Sequence, residues 1–312
     1  MPDASGLPPS STPGPGWLAL QQSDLAGLVA LAEACDGGSR LATDIGWLTD
    51  RYYGPNTVAA ATKSPLGGLV AVTAVENPGP ASTTARPTSP VAAVLMVHPE
   101  SRRSALAHSA VIWVRAQARV ASVAGARLWL VSESLNGEMI ESRSLAGLEL
   151  VFEKSVLQRG LDDLGSPNWP AGTQVVEWHD DTAHSFYEAY RASFSARPGF
   201  PGWSKDEWAR WLTADDDFRP EWSLCALHGG VPVGFIACGT GFIIQAGVVP
   251  GMRRQGLARA LLLEAMGRMR SAGATTVMLT VNTNNQPAQA AWKALAFAPA
   301  GRRGRMESRS LE

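Results

Sequence analysis

Residues 248–262 read VVPGMRRQGLARALL, in which an apolar run passes through two arginines and a glycine into an amphipathic stretch. A strand that ends at Pro250 and is followed at once by a helix start gathers several unsatisfied backbone N–H groups in one place, at the positive end of the helix dipole. That is a ready-made anion site. Gly256 would let a phosphate approach the backbone closely, Ala258 is too small to obstruct it, and Arg253 and Arg254 add charge suited to bidentate contact. The same stretch also reads as an ordinary turn with solvated arginines, and spacing alone leaves both readings open. Other residues able to move protons are Glu207, Glu221, His184, His228 and the run Asp215, Asp216, Asp217. Each also has a plain reading as a solvated surface group. His98 and His108 read as surface residues, and no His/Cys/Asp cluster has metal-ligand spacing, so no metal is expected.

The elements that must position this loop follow from periodicity. A strand over 242–249 leads into the loop, a long amphipathic helix runs from about Gly256 to Ser271, and a strand over 276–282 and a helix over 287–295 follow. Upstream, a strand is expected over 173–179 and then a helix from about Ala183, which carries Phe186, Tyr190 and Phe194 four apart on one face. Ser204 with Glu207 three residues later forms a capping box that opens a helix over 205–212, with Trp203 and Trp208 placed as a hydrophobic staple. Runs over 222–227 and 231–238 flank His228-Gly229-Gly230 and read as a hairpin.

The same grammar occurs earlier. VHPESRRSALAHSAVIWV begins at Val97, 151 residues before Val248, and Pro99/Pro250, Arg102/Arg253, Arg103/Arg254, Leu106/Leu257 and Ala107/Ala258 keep that offset. A repeat this long is no solenoid unit and implies two homologous domains in tandem. The expected division is a flexible tail over 1–16, a first domain over 17–160, a linker over 161–172 where Gly, Pro and Asp accumulate, and a second domain over 173–312. In the first copy strands are expected over 58–63, 69–75 and 91–97, a helix over 105–122, and a Pro/Ser/Thr-rich insertion over 77–90. Ser104-Ala105 stand where the second copy has Gln255-Gly256, and the Cβ of Ala105 would narrow the approach of a phosphate.

VVPGMRRQGLARALL resembles the acyl-CoA signature of the GNAT superfamily of N-acetyltransferases, V-x-P-x-x-R-x-x-G-x-G/A. VMLTVNTNNQPAQAAWKALAF is similar to that superfamily's next motif, a strand followed by N-x-x-A-x-x-L-Y-x-x-x-G-F, and the two together cover residues 242–297. The tandem plan is similar to mycothiol synthase and other double-GNAT proteins. The resemblance implies an α/β (α+β) fold of two tandem GNAT-like domains, each a mixed, mostly antiparallel sheet with helices on both faces. It also implies acetyl-CoA as acyl donor. The backbone at Arg253, Arg254, Gln255, Gly256, Leu257, Ala258 and Arg259 would hold the pyrophosphate, the strand end at Ala246, Val248 and Val249 would pair with pantetheine and polarise the thioester carbonyl, and Asn285 and Trp292 would complete the site. Trp292 replaces the usual Tyr, and its indole cannot donate a proton to a departing thiolate. Ala296 replaces the usual Gly, and the strand offers only Gln245 where many relatives carry a carboxylate base, so the catalytic acid and base are unassigned. The first domain is expected to be degenerate, a structural or acceptor-shaping partner. Phe200 and Trp203 are candidates to line the acceptor pocket.

Composition bounds the alternatives. The chain has 312 residues, 45% hydrophobic and 18% charged, with mean hydropathy −0.04 and no apolar run long enough to span a membrane. A net charge of −1 argues against a protein built to neutralise nucleic-acid phosphate. Three cysteines without a CxxC exclude a disulfide framework and fit a reducing cytoplasm, and the first 16 residues lack the pattern of a secretory signal. The expectation is a cytoplasmic acyltransferase acting on a small-molecule amine, with no nucleic-acid or membrane partner. The alternatives are a non-catalytic acyl-CoA-binding or sensing protein and a transferase that uses charged tRNA.

Overall fold

The computed structural model describes residues 12–36, 45–76, 90–102, 105–121, 127–145, 147–197, 199–214 and 216–308. Residues 1–11 of the expected tail, 77–89 of the expected insertion, Arg103, Ser104 and Asp215 lie outside them. The chain writes one order of elements twice. The first pass is β1 (Trp17–Ala19), α1 (Leu25–Asp36), α2 (Ile45–Tyr53), β2 (Thr57–Lys63), β3 (Leu69–Glu76), β4 (Val91–Val97), α3 (Leu106–Ala121), β5 (Leu128–Ser132), α4 (Gly137–Leu145) and β6 (Leu148–Gly160). The second is β7 (Thr173–Glu177), α5 (Ala183–Phe194), α6 (Lys205–Thr213), β8 (Leu224–His228), β9 (Val231–Gly239), β10 (Phe242–Val248), α7 (Leu257–Ser271), β11 (Thr276–Asn282), α8 (Gln286–Ala294) and β12 (Ala298–Ser308).

Contacts divide the chain into one unit of Met1–Ser155 with Ala300–Glu312 and another of Val156–Pro299. In the first unit β1, β2, β3 and β4 pair antiparallel in that order, β4 pairs parallel with β5, and β5 pairs antiparallel with β12. In the second, β7, β8, β9 and β10 pair antiparallel and β10 pairs parallel with β11. Strand residues alternate between two apolar clusters in each unit, because successive side chains leave opposite faces of a sheet. In the second unit Leu224, Ile236 and Val277 pack with α7, while Cys225, Phe235 and Ala237 pack with α5 and α6. The first unit repeats this, with α3 on one face and α1 and α2 on the other.

The chain's end departs from the expected division. Residues after Pro299 join the first unit, where Gly304 through Glu307 pair with Ser132 through Trp129 and Met306 is fully buried. The segment 298–308 carries no helix or strand expectation, because six of its eleven residues are Gly, Pro or Arg at positions that break alternation. The expected linker is also less detached than its composition suggests: Leu161 is fully buried in the second unit's core and its N–H donates to the Thr275 carbonyl at 2.9 Å.

The opening of α6 shows local sequence deciding local structure. Ser204 Oγ accepts from the Glu207 N–H at 3.3 Å, and the Ser204 N–H donates back to the Glu207 carboxylate at 2.8 Å. These bonds from Ser204, led by its hydroxyl, hold the Glu207 carboxyl below the usual carboxylate range. The aromatic staple is rearranged: the ring of Trp203 rests on Trp211, 5.3 Å away, while Trp208 turns fully into the core. Trp208 finds better burial stacked on Tyr190 at 4.8 Å than it would beside Trp203 at the surface.

Candidate functional site

β10 and β11 run parallel and pair at only two positions, Phe242 with Met278 and Ile243 with Leu279. At the same place the register of β10 against β9 slips, Ile243 facing Cys238 and Gln245 facing Ala237, so that Ile244 is an extra residue. This bulge resets which way the strand points its side chains. Ile243, Ala246 and Val248 pack with α7, whereas Ile244 packs with the aromatic residues under α5 and α6. Gln245 turns to that same side, where its Oε1 accepts the indole N–H of Trp208 at 3.1 Å. Gly247 also faces α5: a Cβ there would lie 2.8 Å from Ser193 Cβ and 3.0 Å from the ring of Phe235, so only glycine permits this approach. Beyond Ile243 no further pairing of β10 with β11 is made, which leaves the backbone edge of β10 free.

The free end of β10 leads to the loop singled out by spacing. Gly256 caps α7 with φ 87°, a left-handed conformation, and a Cβ would find nothing within 4 Å, so open space lies over this backbone. Arg254 is left-handed as well, at φ 64°. No side chain caps α7, and the first helical N–H to find a carbonyl is that of Ala260, bonded to Gly256 at 3.0 Å. The N–H groups of Leu257, Ala258 and Arg259 therefore point forward into that space. Ala258, Arg254 and Arg259 are exposed around it. An uncapped, positive helix end with a left-handed glycine and room for a phosphate fits the pyrophosphate of a coenzyme A.

The individual residues divide by role. The Arg253 guanidinium does not reach into the loop: its Nε donates to the Val248 carbonyl at 3.0 Å and its Nη2 to the Ser193 carbonyl at 3.2 Å, clamping the strand end to the last turn of α5. Gln255 bonds back to the Gly251 carbonyl at 3.1 Å. Asn285 caps α8, its Oδ1 accepting from the Ala288 N–H at 3.3 Å, and Trp292 lies edge-on to Phe297 at 5.4 Å. Ala246, Val248 and Val249 line the end of β10 over the core of α7. Phe200 and Trp203 belong to the aromatic cluster under α5 and α6.

The candidate bases do not gather here. Glu221 stands against the far half of α7, where Arg268 binds its carbonyl and the carboxylates of Glu177 and Glu264. Those positions lie eight and twelve residues past Gly256, about 12 to 18 Å along the helix. Glu207 is held by Ser204, His184 pairs with Glu188 at 3.2 Å, and His228 is exposed at the end of β8. Asp217 lies by Thr240, before β10 begins. What spacing did not find is Trp208, Ser193 and Gly247, which reach β10 from α6, from α5 and through the bulge. Among the described residues no group of His, Cys, Asp or Glu could hold a metal ion, and no helix is long and apolar enough to cross a membrane.

The first unit supplies an internal comparison. β4 keeps strict alternation without a bulge and stays paired with β5 through Val94 and Val131, two positions further than β10 stays with β11. Past that point the gap is laced shut. The thiol of Cys35 donates to the Val97 carbonyl at 3.3 Å, and Ser134 Oγ and Arg102 Nη2 both donate to the Cys35 carbonyl, at 2.8 and 3.4 Å. Arg102 thus repeats the clamp of Arg253. The cavity beside Cys35 and Ser134 is about 20 Å³, room for one water, while a larger one of about 380 Å³ lies against Trp47, Arg51 and Val94 of the same unit.

Comparison with known proteins agrees with this geometry. Residues 177–297 match the acetyltransferase (GNAT) family model. A GCN5-related N-acetyltransferase from Sphaerobacter thermophilus superposes with a TM-score of 0.74 at 21% identity, covering 96% of this chain and 97% of that one. A tandem GNAT protein from the clavulanic acid biosynthesis pathway gives 0.66 at 18% identity, covering 95% and 98%. A GNAT-family acetyltransferase from Colwellia psychrerythraea gives 0.52 at 15%, covering 94% and 99%. No curated protein matches by sequence. The chain therefore has the tandem GNAT fold, with residues 177–297 matching the acetyltransferase (GNAT) family model.

Proposed function

We propose that this protein transfers an acetyl group from acetyl-CoA to the amine of a small molecule, in the second unit only. The observation that carries the reading is the helix end at Gly256, uncapped, left-handed and with open space over its backbone, reached from a β10 edge that β11 leaves unpaired; in the first unit the matching strand end is bonded by Cys35, Ser134 and Arg102. The division into a first domain over 17–160 and a second over 173–312, with β12 returned to the first unit, is part of the same reading.

Acetyl-CoA supplies an activated acyl carbon on a thiol leaving group. In the chain, the N–H groups of residues 254–259 take the pyrophosphate, with the side chains of Arg254 and Arg259 beside it. The free edge of β10 at Ala246, Val248 and Val249 takes the pantetheine amides, and a backbone N–H there polarises the thioester carbonyl. Asn285 and Trp292 close the site from α8. Arg253 acts by holding β10 to α5, which fixes where that edge lies. An amine of pKa about 10 has to lose one proton before attack, and β10 carries no carboxylate to take it, so solvent water receives it. Transfer then forms the N–C bond and breaks C–S, and the second proton leaving the nitrogen passes to the departing CoA thiolate, which leaves as the thiol. With Cys35, Cys225 and Cys238 all buried thiols, the setting is a reducing cytoplasm.

Calorimetric titration of acetyl-CoA into the full chain tests the reading. One site per chain is expected, lost in Gly256→Glu, which places a carboxylate and a Cβ at the left-handed position. Acetylated product in a panel of amines, read by mass spectrometry, then establishes transfer. Absence of binding would overturn the proposal. Tight binding without transfer to any amine would favour an acyl-CoA sensor, the reading supported by Trp292 in place of a proton-donating Tyr.

A further inference from the structure

The chemistry of one hydrogen bond fixes the direction of a side chain at the end of the β10–β11 pairing. An indole N–H only donates, so the group that meets Trp208 Nε1 at 3.1 Å must be the oxygen of Gln245, and its NH2 must face the other way. Trp208 is fully buried and stacked on Tyr190, so it cannot turn to release the amide. Among the described residues no acceptor meets Gln245 Nε2. Two positions along the same face, Ser193 Oγ stands over Gly247, buried and without a partner. One turn past α5, the Arg197 guanidinium lies over Phe194 at 5.3 Å. Carboxylates on these helices are already engaged: Glu207 with Ser204, Glu188 with His184 and Asp206 with Lys205. The helix-side face of β10 therefore offers, where its pairing with β11 ends, an amide donor at Gln245 Nε2 and the Ser193 hydroxyl behind it.

The geometry points to Gln245 as the residue that selects the acceptor, through an N–H donated to a carboxylate or carbonyl oxygen next to the reacting amine. The acceptor class is a small α-amino acid or its amide, not a simple alkylamine or polyamine. This rests on the second unit being the transferring one. A cationic amine with nothing but methylenes near its nitrogen would leave Gln245 Nε2 unsatisfied when it displaced water from it, which is the stronger form of discrimination. In the first unit Val94 stands at the position matching Gln245, apolar and buried, so the device belongs to the second unit alone.

The test compares, in the full chain, kcat/KM for a set of α-amino acids, their primary amides and the corresponding decarboxylated amines. The acids or amides are expected to exceed the decarboxylated amines by roughly tenfold or more, the usual worth of a hydrogen bond to a charged or well-placed group. Which of the two leads tells whether carboxylate or carbonyl oxygen is read. Gln245→Glu keeps an oxygen for Trp208 but replaces the donor with a negative charge, so the preference should fall at least tenfold while acetyl-CoA binding by calorimetry stays as in the parent. Trp208→Phe, which frees the amide to flip, should lower the ratio without creating the charge. Equal or better turnover of the decarboxylated amines by the parent protein would overturn this inference alone, as would an unchanged ratio in a Gln245→Glu protein that still binds acetyl-CoA. Transfer to no amine at all would overturn the proposed function, and this inference with it.

Discussion

Ala296 sits just after α8 in a left-handed conformation, φ 59°, where a Cβ meets the following carbonyl. Ala296→Gly should therefore stabilise the protein, by about 0.5 to 1 kcal/mol after the extra freedom glycine gains in the unfolded chain is subtracted. Urea unfolding midpoints of parent and variant check the sign. The cysteines make a second prediction at this scale. Burial pushes the Cys225 thiol up to about 12 and the Cys238 thiol further still, and Cys35 is buried with its thiol donated to Val97. Only a thiolate is an effective nucleophile, so no cysteine should react with a disulfide reagent at pH 8 until the protein is unfolded. Titration with and without denaturant counts them. Labelling of the native protein within minutes would contradict the burial.

At the scale of elements, the site depends on how closely α5 lies on β10. Gly247→Ala adds a methyl 2.8 Å from Ser193 Cβ and 3.0 Å from Phe235, and neither helix nor ring can withdraw without repacking. A cost of about 1 to 3 kcal/mol is expected, with weakened acetyl-CoA binding as the strand end that Arg253 clamps is displaced. Thermal unfolding and calorimetry measure the two effects separately. Trp208→Phe leaves the Gln245 oxygen without its donor and should cost about 1 to 3 kcal/mol of stability besides its effect on selectivity. The elements themselves were largely legible. The expected helix from Ala183, the capped helix at Lys205, the strand from Phe242 and the helix after Gly256 all form within a residue or two of the expected bounds, because periodicity and capping are local. The bulge at Ile244 was not legible. Nothing in FIIQAGV marks which residue will be the extra one, since that depends on the register against β9 and on Trp208 offering Gln245 a partner.

At the scale of the whole molecule, the return of β12 to the first unit has a measurable consequence. A chain ending at Pro299 keeps every element of the second unit but deprives β5 of its antiparallel neighbour and the first core of Met306. The unpaired edge and the lost burial should make the first unit open first. Limited proteolysis of the truncated chain is expected to cut within residues 17–155 under conditions where the full chain resists, while residues 156–299 survive. Cutting that begins in the second unit would show that the last strand matters less to the first than its pairing implies.

The sequence by itself determined the repeat, most elements of the second unit, the helix start after Gly256 and the match of residues 177–297 to the acetyltransferase (GNAT) family model. Each is written in short-range features: an offset of 151 residues, a period of two or of 3.6, a capping box, a glycine before a helix. The tertiary structure decided where the pairing of β10 with β11 ends, that Arg253 clamps β10 to α5, that the candidate acids lie elsewhere, and that the Gln245 oxygen meets Trp208. These rest on side chains from α1, α5 and α6 meeting a strand some 40 to 60 residues away, as Cys35 meets Val97 and Trp208 meets Gln245. No local pattern encodes such meetings, because packing and hydrogen-bond satisfaction choose them only once the sheets have formed.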